Sequence, residues 1–185
     1  MPDRSMAAVV TGSTSGIGLA IAQRLARSGY KVALNYASDD ARAAAAAQFP
    51  AAGQDTILVK SDISTSRGAA TLISRAIDAF GRLDVLVNNA AQVIDKPALE
   101  LTEDDWDRVL DVNLKGAFLC SQHAARQMLT QDSGGLILNI GASTGIRGRR
   151  NGVNTCASKA GLMVMTQCLA LELAPEGELV VAAYV

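Results

Sequence analysis

The sequence predicts an α/β fold in which helices cover both faces of a doubly wound parallel sheet. Short apolar runs that contain β-branched residues alternate with longer segments in which apolar residues recur at the helical period. Strands that alternate with helices in this way form βαβ units, whose right-handed crossovers place the strands parallel in one sheet. With 49% hydrophobic residues, the chain of 185 residues can bury the core that such a sheet requires.

The first half of the chain contains four predicted strands separated by three predicted helices. The strands are expected at residues 7–11, 31–36, 56–60 and 84–88, and the helices at residues 17–28, 39–49 and 65–80. In the first helix, Ile17, Ile21 and Leu25 recur at the helical spacing. Gly29 and Gly81 end the first and the third helix. The run at 84–88 is almost entirely apolar, as expected for a strand that is buried on both faces.

The second half of the chain predicts two longer helices and two further strands. Thr102 is the expected N-cap of a helix over residues 103–130, because acidic residues fill its first turn. Two glycines at 134–135 separate this helix from a strand at 136–140. A helix over residues 153–174 is stopped by Pro175, and residues 179–185 form a sixth strand.

Composition excludes several classes of function. The net charge is −1 and the basic residues are scattered, so we expect neither nucleic acid nor a membrane as a partner. No apolar run reaches the roughly 18 residues of a membrane span, and the first five residues carry no signal-peptide core. Cys120, Cys156 and Cys168 lack the spacing of a metal site. We therefore expect a cytoplasmic protein with reduced thiols and no metal.

A glycine-rich turn lies between the first predicted strand and the first helix, where residues 11–18 read TGSTSGIG. Without a Cβ atom, the chain can turn sharply at Gly12 and can approach a pyrophosphate closely at Gly16 and Gly18. The helix that begins there directs unpaired N–H groups and the positive end of its dipole toward such a ligand. The alternative interpretation is an ordinary strand-to-helix turn without a ligand.

Four further motifs follow the glycine turn in order along the chain. They are DI at 62–63, NNAA at 88–91, NLKG at 113–116 and ASKA at 157–160. Together the five motifs resemble the short-chain dehydrogenase/reductase family, and the resemblance runs from about residue 7 to about residue 181. The layout is similar to that of 3-oxoacyl-carrier-protein reductases. It implies a Rossmann-like dinucleotide-binding domain.

The resemblance implies that a nicotinamide dinucleotide lies at the carboxyl ends of the strands. Its predicted contacts are Gly12, Ser13, Ser15, Gly16, Ile17, Gly18, Asn35, Tyr36, Ser38, Asp62, Ile63, Asn89, Ala90 and Lys159. An acidic residue at the end of the second strand would bind the ribose of NAD and repel the 2′-phosphate of NADP. Asn35 stands there instead, and Ser38 could donate to a phosphate, so NADP(H) is favoured over NAD(H). Ser15 argues the other way, because many NADP-dependent members have a basic residue at its position.

The resemblance also implies the catalytic residues, and two of them are replaced. Asn113 matches the asparagine of the family's proton relay, and Lys159 matches the lysine that lowers the pKa of a catalytic tyrosine. Thr155 occupies the position of that tyrosine, and Ala142 occupies the position of the substrate-binding serine. Ser143 is the candidate substitute for the missing serine. Because an alkyl hydroxyl is a much weaker acid than a phenol, we expect Thr155 to replace the tyrosine poorly.

The resemblance gives an expectation for domain organisation. Residues 1–185 are expected to form a single dinucleotide-binding domain that is incomplete at its carboxyl end. Family members continue for some 60 residues after the sixth strand, and the segment expected to be missing holds the last strand and the part that covers the substrate. We also expect a homo-oligomer through the helices around 103–130 and 153–174, which pack against a second subunit in the family.

Three functions are compatible with these residues. The first is hydride transfer between NADP(H) and a ketone, a 3-oxoacyl group or a secondary alcohol, at an impaired rate. The substrate would be a small carbonyl or alcohol compound, either free or linked to an acyl carrier, and Arg147, Arg149 and Arg150 could meet an acidic carrier. The second is a non-catalytic dinucleotide-binding sensor or partner subunit. The third is a truncated fragment without activity.

Overall fold

The strands of the computed structural model form one parallel sheet. The structure describes residues 6–46, 55–131, 133–174 and 178–184. The strands are β1 (Ala7–Val10), β2 (Lys31–Tyr36), β3 (Thr56–Lys60), β4 (Val85–Asn88), β5 (Gly135–Gly141) and β6 (Glu178–Tyr184). Within the described residues they pair in the order β3-β2-β1-β4-β5-β6, with every neighbouring pair parallel. The predicted doubly wound sheet is confirmed.

Helices cover both faces of the sheet, as predicted. They are α1 (Gly16–Arg27), α2 (Asp40–Ala46), α3 (Ser66–Phe80), α4 (Glu103–Leu110), α5 (Ala117–Met128) and α6 (Val153–Leu173). On one face α1 packs on the strands through Ala22 and Ala26. On the other face α3 and α5 bury side chains such as Leu72 and Met128, and the end of α6 packs beside them. The two apolar clusters that result hold the sheet between them.

Side-chain caps fix where α3 and α4 begin. The hydroxyl of Thr65 accepts a hydrogen bond from Gly68 N at the start of α3. Thr102 is the N-cap of α4, as predicted, and it forms a reciprocal capping box with Asp105. The Asp105 carboxylate also accepts a hydrogen bond from Lys96, 2.6 Å away, and Lys96 together with the hydrogen bonds from Thr102 lowers the pKa of Asp105 to about 2.

The predicted continuous helix over 103–130 is wrong in one respect. A π-helical turn, Asp111–Gly116, separates α4 from α5. A side chain at Gly116 would place its Cβ 3.0 Å from the carbonyl oxygen of Ile63, so the wider turn lies against the loop after β3 at a residue without a Cβ. Turns of this kind insert one extra residue into a helix and rotate the side chains within it. Asn113 lies inside this turn, and the turn therefore sets the direction of the Asn113 side chain.

Within the described residues, the remaining boundaries coincide with the predicted ones or differ from them by one or two residues. The helix predicted over 39–49 is seen as α2, and residues 47–49 lie outside the described residues. The sixth strand begins at Glu178, and Val185 lies outside the described residues. A short 3₁₀ turn, Ser143–Gly145, follows β5. In the part of the chain that the structure covers, none of the helices combines the length and apolar character that a membrane crossing requires.

Candidate functional site

A cleft of about 630 Å³ opens at the carboxyl ends of the strands, where β1 lies between β2 and β4. The connection after β1 leads to β2 on one side, whereas the connection after β3 leads to β4 on the other side of β1. Parallel α/β sheets bind their ligands at such a switch point. Of the predicted cofactor contacts, the cleft is lined by Gly12, Ser15, Gly16, Ile17, Gly18, Asn35, Tyr36, Ser38, Asp62, Ile63, Asn89 and Ala90. Ser13 and Lys159 are the two predicted contacts that do not line it.

The glycine turn has the backbone geometry that its sequence predicts. Gly12 and Gly16 adopt φ angles of +59° and +54°, a conformation that side chains other than glycine rarely adopt. A Cβ atom on Gly12 would also lie 2.9 Å from Cα of Ala90. A Cβ atom on Gly18 would collide with the Asn89 side chain and with the carbonyl oxygen of Gly12. The turn is therefore packed tightly against the loop after β4, and its glycines cannot be replaced without movement.

The amino terminus of α1 lacks a side-chain cap. Ser15 is the N-cap residue, and its side chain makes no capping hydrogen bond. In contrast, the N-cap residues of α3 and α4, Thr65 and Thr102, each accept a hydrogen bond from a backbone N–H group of the first turn through the side-chain hydroxyl. The first N–H groups of α1 thus face the cleft without a side-chain acceptor. An anion placed there would be held by these N–H groups and by the helix dipole.

The loops after β1 and β4 are joined by the buried side chain of Thr11 and the half-buried side chain of Asn89. The hydroxyl of Thr11 accepts hydrogen bonds of 2.9 Å from the backbone N–H groups of Asn89 and Ala90. In return, the Asn89 amide donates to the carbonyl oxygens of Thr11 and Gly12 at 3.0 and 3.1 Å. This reciprocal pairing fixes the glycine turn relative to the central strand. The side chain of Asn89 thereby shapes the cleft.

Two predicted cofactor contacts direct their side chains into the protein instead. The buried Ser13 hydroxyl donates to Val10 O and accepts from Asn35 N. The Asn35 amide accepts from Gly12 N and donates to the carbonyl and the hydroxyl of Ser61, both at 3.0 Å. Asn35 lines the cleft while these hydrogen bonds occupy its amide, and its contact with the cofactor stays a prediction. The Asn35 amide supports the glycine turn, and Tyr36, the last residue of β2, lines the cleft beside it.

The predicted adenine contacts lie in the loop after β3. Asp62 is exposed, and one oxygen of its carboxylate accepts hydrogen bonds from the backbone and the hydroxyl of Ser64. Ile63 is buried, and it lines the cleft beside Val112 of the π-helical turn. An apolar surface therefore adjoins an acceptor group at this end of the cleft. The contact of both residues with adenine stays a prediction.

The predicted relay residue Asn113 is buried and holds two segments together. Its amide exchanges two hydrogen bonds with the backbone of Gln92, at 2.7 and 3.0 Å. It also donates to the hydroxyl of Ser158, which in turn donates to the carbonyl oxygen of Thr155. Sequence reasoning missed this role of Ser158, although the residue lies within the ASKA motif. The network fixes the first two turns of α6, where Thr155 and Lys159 lie, to the loop after β4.

Lys159 and Thr155 lie one helical turn apart, and both are buried. The Lys159 ammonium donates to the carbonyl oxygen of Ile140 at 2.6 Å, near the end of β5. Burial lowers the pKa of the Lys159 ammonium. The Thr155 hydroxyl is buried and has no hydrogen-bond partner among the described residues. A buried hydroxyl without a hydrogen-bond partner lowers the stability of a fold. The Thr155 hydroxyl therefore contributes no hydrogen bond to the fold that the described residues form.

The predicted serine substitute lies on the surface. Ser143 is exposed and begins the 3₁₀ turn that follows β5, whereas Ala142 before it is half-buried. Gly145 ends that turn against α6, and a Cβ there would lie 2.8 Å from the backbone carbon of Lys159. The close packing fixes the turn against α6. A role for Ser143 in catalysis stays a prediction.

Comparison with known proteins identifies the family. The model of the short chain dehydrogenase family matches residues 6–185. The 3-oxoacyl-(acyl-carrier-protein) reductase FabG of Staphylococcus aureus is 40% identical over 171 residues, which cover 92% of this chain and 69% of that protein. A 3-oxoacyl-(acyl-carrier-protein) reductase of Synechocystis is 41% identical, with the same coverage. The chain belongs to the short-chain dehydrogenase/reductase family, whose members are NAD(P)-dependent oxidoreductases.

Solved structures agree with this assignment. A short chain dehydrogenase from Burkholderia cenocepacia, in complex with NADP, superimposes with a TM-score of 0.91 at 37% identity. The match covers 97% of this chain and 73% of that one. A short-chain dehydrogenase/reductase of Serratia marcescens gives a TM-score of 0.89 at 35% identity and covers 98% of this chain and 74% of that one. The similarity therefore extends over almost all of the fold described above.

Proposed function

We propose that this chain binds NADP(H) in the cleft beside the glycine turn and reduces a carbonyl compound only slowly. The open amino terminus of α1 is the observation that supports binding. The unpartnered Thr155 hydroxyl, at the position where the family has a tyrosine, supports the low rate. In this proposal the groups that bind the cofactor are intact, whereas the groups that transfer the proton are impaired.

The residues around the cleft fit a dinucleotide. Gly16 has open space where a side chain would lie, so a pyrophosphate can approach the start of α1 there, and the helix supplies the N–H groups that a phosphate requires. When bound, the nicotinamide supplies the hydride that a carbonyl carbon accepts. Lys159 would hold the nicotinamide ribose, as the family resemblance implies. Its burial at the end of β5 keeps the ammonium in place for that contact.

Proton transfer is where this chain is expected to fail. A carbonyl oxygen that gains negative charge must receive a proton, and a positioned acid contributes about 10²–10⁴-fold to the rate of such a step. Thr155 carries an alkyl hydroxyl, which is a much weaker acid than a phenol, whose pKa is about 10. Its oxygen is attached directly at Cβ and lies closer to the backbone than a phenol oxygen would. Ala142 offers no hydroxyl to bind the substrate oxygen.

NADP(H) is preferred over NAD(H) in this proposal. No acidic side chain stands at Asn35 or Tyr36, where an acid would repel the 2′-phosphate. A structural relative with 37% sequence identity was solved in complex with NADP. The proposed substrate is a ketone or a 3-oxoacyl group, free or linked to an acyl carrier, since the matching relatives include 3-oxoacyl-(acyl-carrier-protein) reductases.

Restoring both missing hydroxyls tests the proposal. In the variant Thr155→Tyr with Ala142→Ser, we expect NADPH-dependent ketone reduction to increase by about 10²-fold, because a phenolic acid again faces the substrate. The matched control is Thr155→Phe with Ala142→Ser, which adds the same ring without the acid. Absorbance at 340 nm measures the rate, and the melting temperature of each variant verifies folding. Equal rates in the two variants would contradict the assignment of Thr155.

A second function is favoured by the same hydroxyl. If the chain binds NADPH and neither the unchanged protein nor the tyrosine variant turns over, the chain is a dinucleotide-binding subunit or sensor without catalysis. The buried network of Asn113 and Ser158 would then serve to hold the loops around the cofactor. Binding without turnover in both proteins distinguishes this function from the first.

A further inference from the structure

One wall of the cleft is formed by the segment that follows β2, and it contains an arginine that the motifs do not include. Tyr36, Ser38, Asp39 and Arg42 all line the cleft. Arg42 is the only cationic side chain among the described residues that line it. Because the pyrophosphate is expected at the start of α1, the adenosine ribose lies toward the carboxyl end of β2. Arg42 therefore stands at the end of the cleft where NADP and NAD differ.

Among the residues that the structure describes, the Arg42 guanidinium contacts a carboxylate through one nitrogen, Nε. Its Nε atom lies 3.3 Å from a carboxylate oxygen of Asp39, and its backbone N–H donates to the other oxygen at 2.9 Å. The side chain of Arg42 is 60% exposed and that of Asp39 is 48% exposed. An exposed pair of this kind is weak, because water screens both charges. An incoming phosphate can thus replace the carboxylate on Arg42.

The neighbouring charges are already occupied. The Asp40 carboxylate accepts hydrogen bonds from Lys60 at 2.7 Å and from the hydroxyl of Tyr36 at 2.9 Å. Asp62 accepts hydrogen bonds from its own loop at Ser64. Lys60 does not line the cleft, and the two carboxylates have the wrong charge to bind a phosphate. Arg42 is left as the side chain best able to accept a new anion at this wall.

We propose that Arg42 is the residue that recognises the 2′-phosphate of NADP(H), and that Asp39 competes with this phosphate for the guanidinium. The inference rests on the proposed function, because it requires a dinucleotide in the cleft. Guanidinium and phosphate match in geometry and can form two parallel charge-assisted hydrogen bonds. NAD(H) has a hydroxyl at the same place and gains little from Arg42. The preference for NADP(H) over NAD(H) then depends on replacement of the Asp39 carboxylate by the 2′-phosphate at the Arg42 guanidinium.

Asp39 has a predictable effect in this arrangement. Its negative charge opposes the phosphate, so Asp39→Asn is expected to tighten NADPH binding several-fold and to leave NADH binding almost unchanged. The asparagine side chain can still accept the hydrogen bond from Arg42 N that begins α2, since asparagine caps helices as well as aspartate does. The substitution therefore removes the charge and keeps the cap.

Calorimetric titration of NADPH and of NADH into the unchanged chain and its variants tests the proposal. We expect Arg42→Gln to weaken NADPH binding about tenfold, the value of one charge-assisted contact, and to change NADH binding less than twofold. Arg42→Lys is expected to fall between the two, because it keeps the charge and loses the paired geometry. Arg27→Gln, at an exposed position in the last turn of α1, is the control that makes the same change in net charge.

The outcomes separate this inference from the proposed function. Equal losses for both cofactors in Arg42→Gln, or no loss for either, would overturn the role of Arg42 and leave the dinucleotide site intact. Tighter binding of NADH than of NADPH by the unchanged chain would overturn it as well. If the folded, unchanged chain binds neither cofactor, the proposed function fails and the inference fails with it. Added salt should reduce the NADPH preference of the unchanged chain more than that of Arg42→Gln.

Discussion

At the residue scale, the hydroxyl of Thr11 joins the two loops that form the cofactor cleft. It is fully buried, and it accepts hydrogen bonds from the N–H groups of Asn89 and Ala90. Valine has nearly the same shape as threonine but offers no acceptor. Two partly buried donors would lose their partner in Thr11→Val, and each unsatisfied buried group costs about 1–3 kcal/mol. The Thr11 hydroxyl therefore helps to hold the glycine turn in place, together with the amides of Asn35 and Asn89.

We therefore expect Thr11→Val to lower the free energy of unfolding by more than about 1 kcal/mol and to weaken NADPH binding. Urea denaturation measures the first effect and calorimetry measures the second. The control is Thr71→Val, at an exposed position of α3 whose hydroxyl bonds only to a carbonyl of its own helix. A Thr11→Val protein as stable as the Thr71→Val protein would contradict the role given to this oxygen.

Individual residues were predictable where their function follows from backbone geometry. Gly12 and Gly16 were expected to allow a turn that other residues resist, and both adopt positive φ angles. The direction of the Asn35 side chain was not predictable, because adjacent residues of a strand point to opposite sides and the sequence does not state which side faces the cleft. Arg42 was missed for a related reason. It lies outside every motif, and only the course of α2 brings it to the cleft.

At the element scale, the strands were predicted closely, and the π-helical turn was not. Residues predicted for β2 and β3 coincide with the observed strands, because their apolar runs are bounded by polar residues. The turn Asp111–Gly116 changes the hydrogen bonding of a helix without interrupting its apolar pattern. Gly116 packs closely against the loop after β3, and the local pattern of the sequence does not contain this long-range contact.

The faces of α5 and α6 support the predicted homo-oligomer. Beside the π-helical turn they form an apolar groove of about 470 Å³, lined by Leu110, Asp111, Leu114, Lys115, Phe118, Gly161 and Met165. Phe118 and Val164 are partly exposed on these helices. We propose that a second copy of the chain covers this groove with the same face, as a two-fold axis requires.

Substitution of Phe118 tests the oligomer. We expect the unchanged chain to be a dimer in light scattering after size-exclusion chromatography, and Phe118→Glu to be a monomer, because a buried carboxylate without a partner opposes association. Leu99→Glu is the control, since Leu99 is fully exposed in the loop before α4. A monomeric unchanged chain, or a dimeric Phe118→Glu protein, would show that this face does not mediate association.

At the scale of the whole molecule, the sheet brings distant motifs together at one edge. The parallel pairing of β1 with β4 places Val10 beside Val87. Thr11, one residue after Val10, and Asn89, two residues after Val87, therefore form hydrogen bonds although they lie 78 positions apart. The family resemblance implied this arrangement, and the pairing of the strands explains it. The missing catalytic groups were visible in the sequence because they are absent residue types. Their surroundings, such as the unpartnered Thr155 hydroxyl, required the fold.

The central claim is that the cofactor site is whole although two catalytic hydroxyls are absent. Thermal unfolding of the purified chain with and without saturating NADPH tests this claim most directly. A ligand that binds only the folded protein stabilises it by about 2.7 kcal/mol at a hundredfold excess over its dissociation constant. We predict a cooperative transition whose midpoint rises with NADPH and rises less with NADH. A cooperative transition that neither cofactor moves would contradict the account.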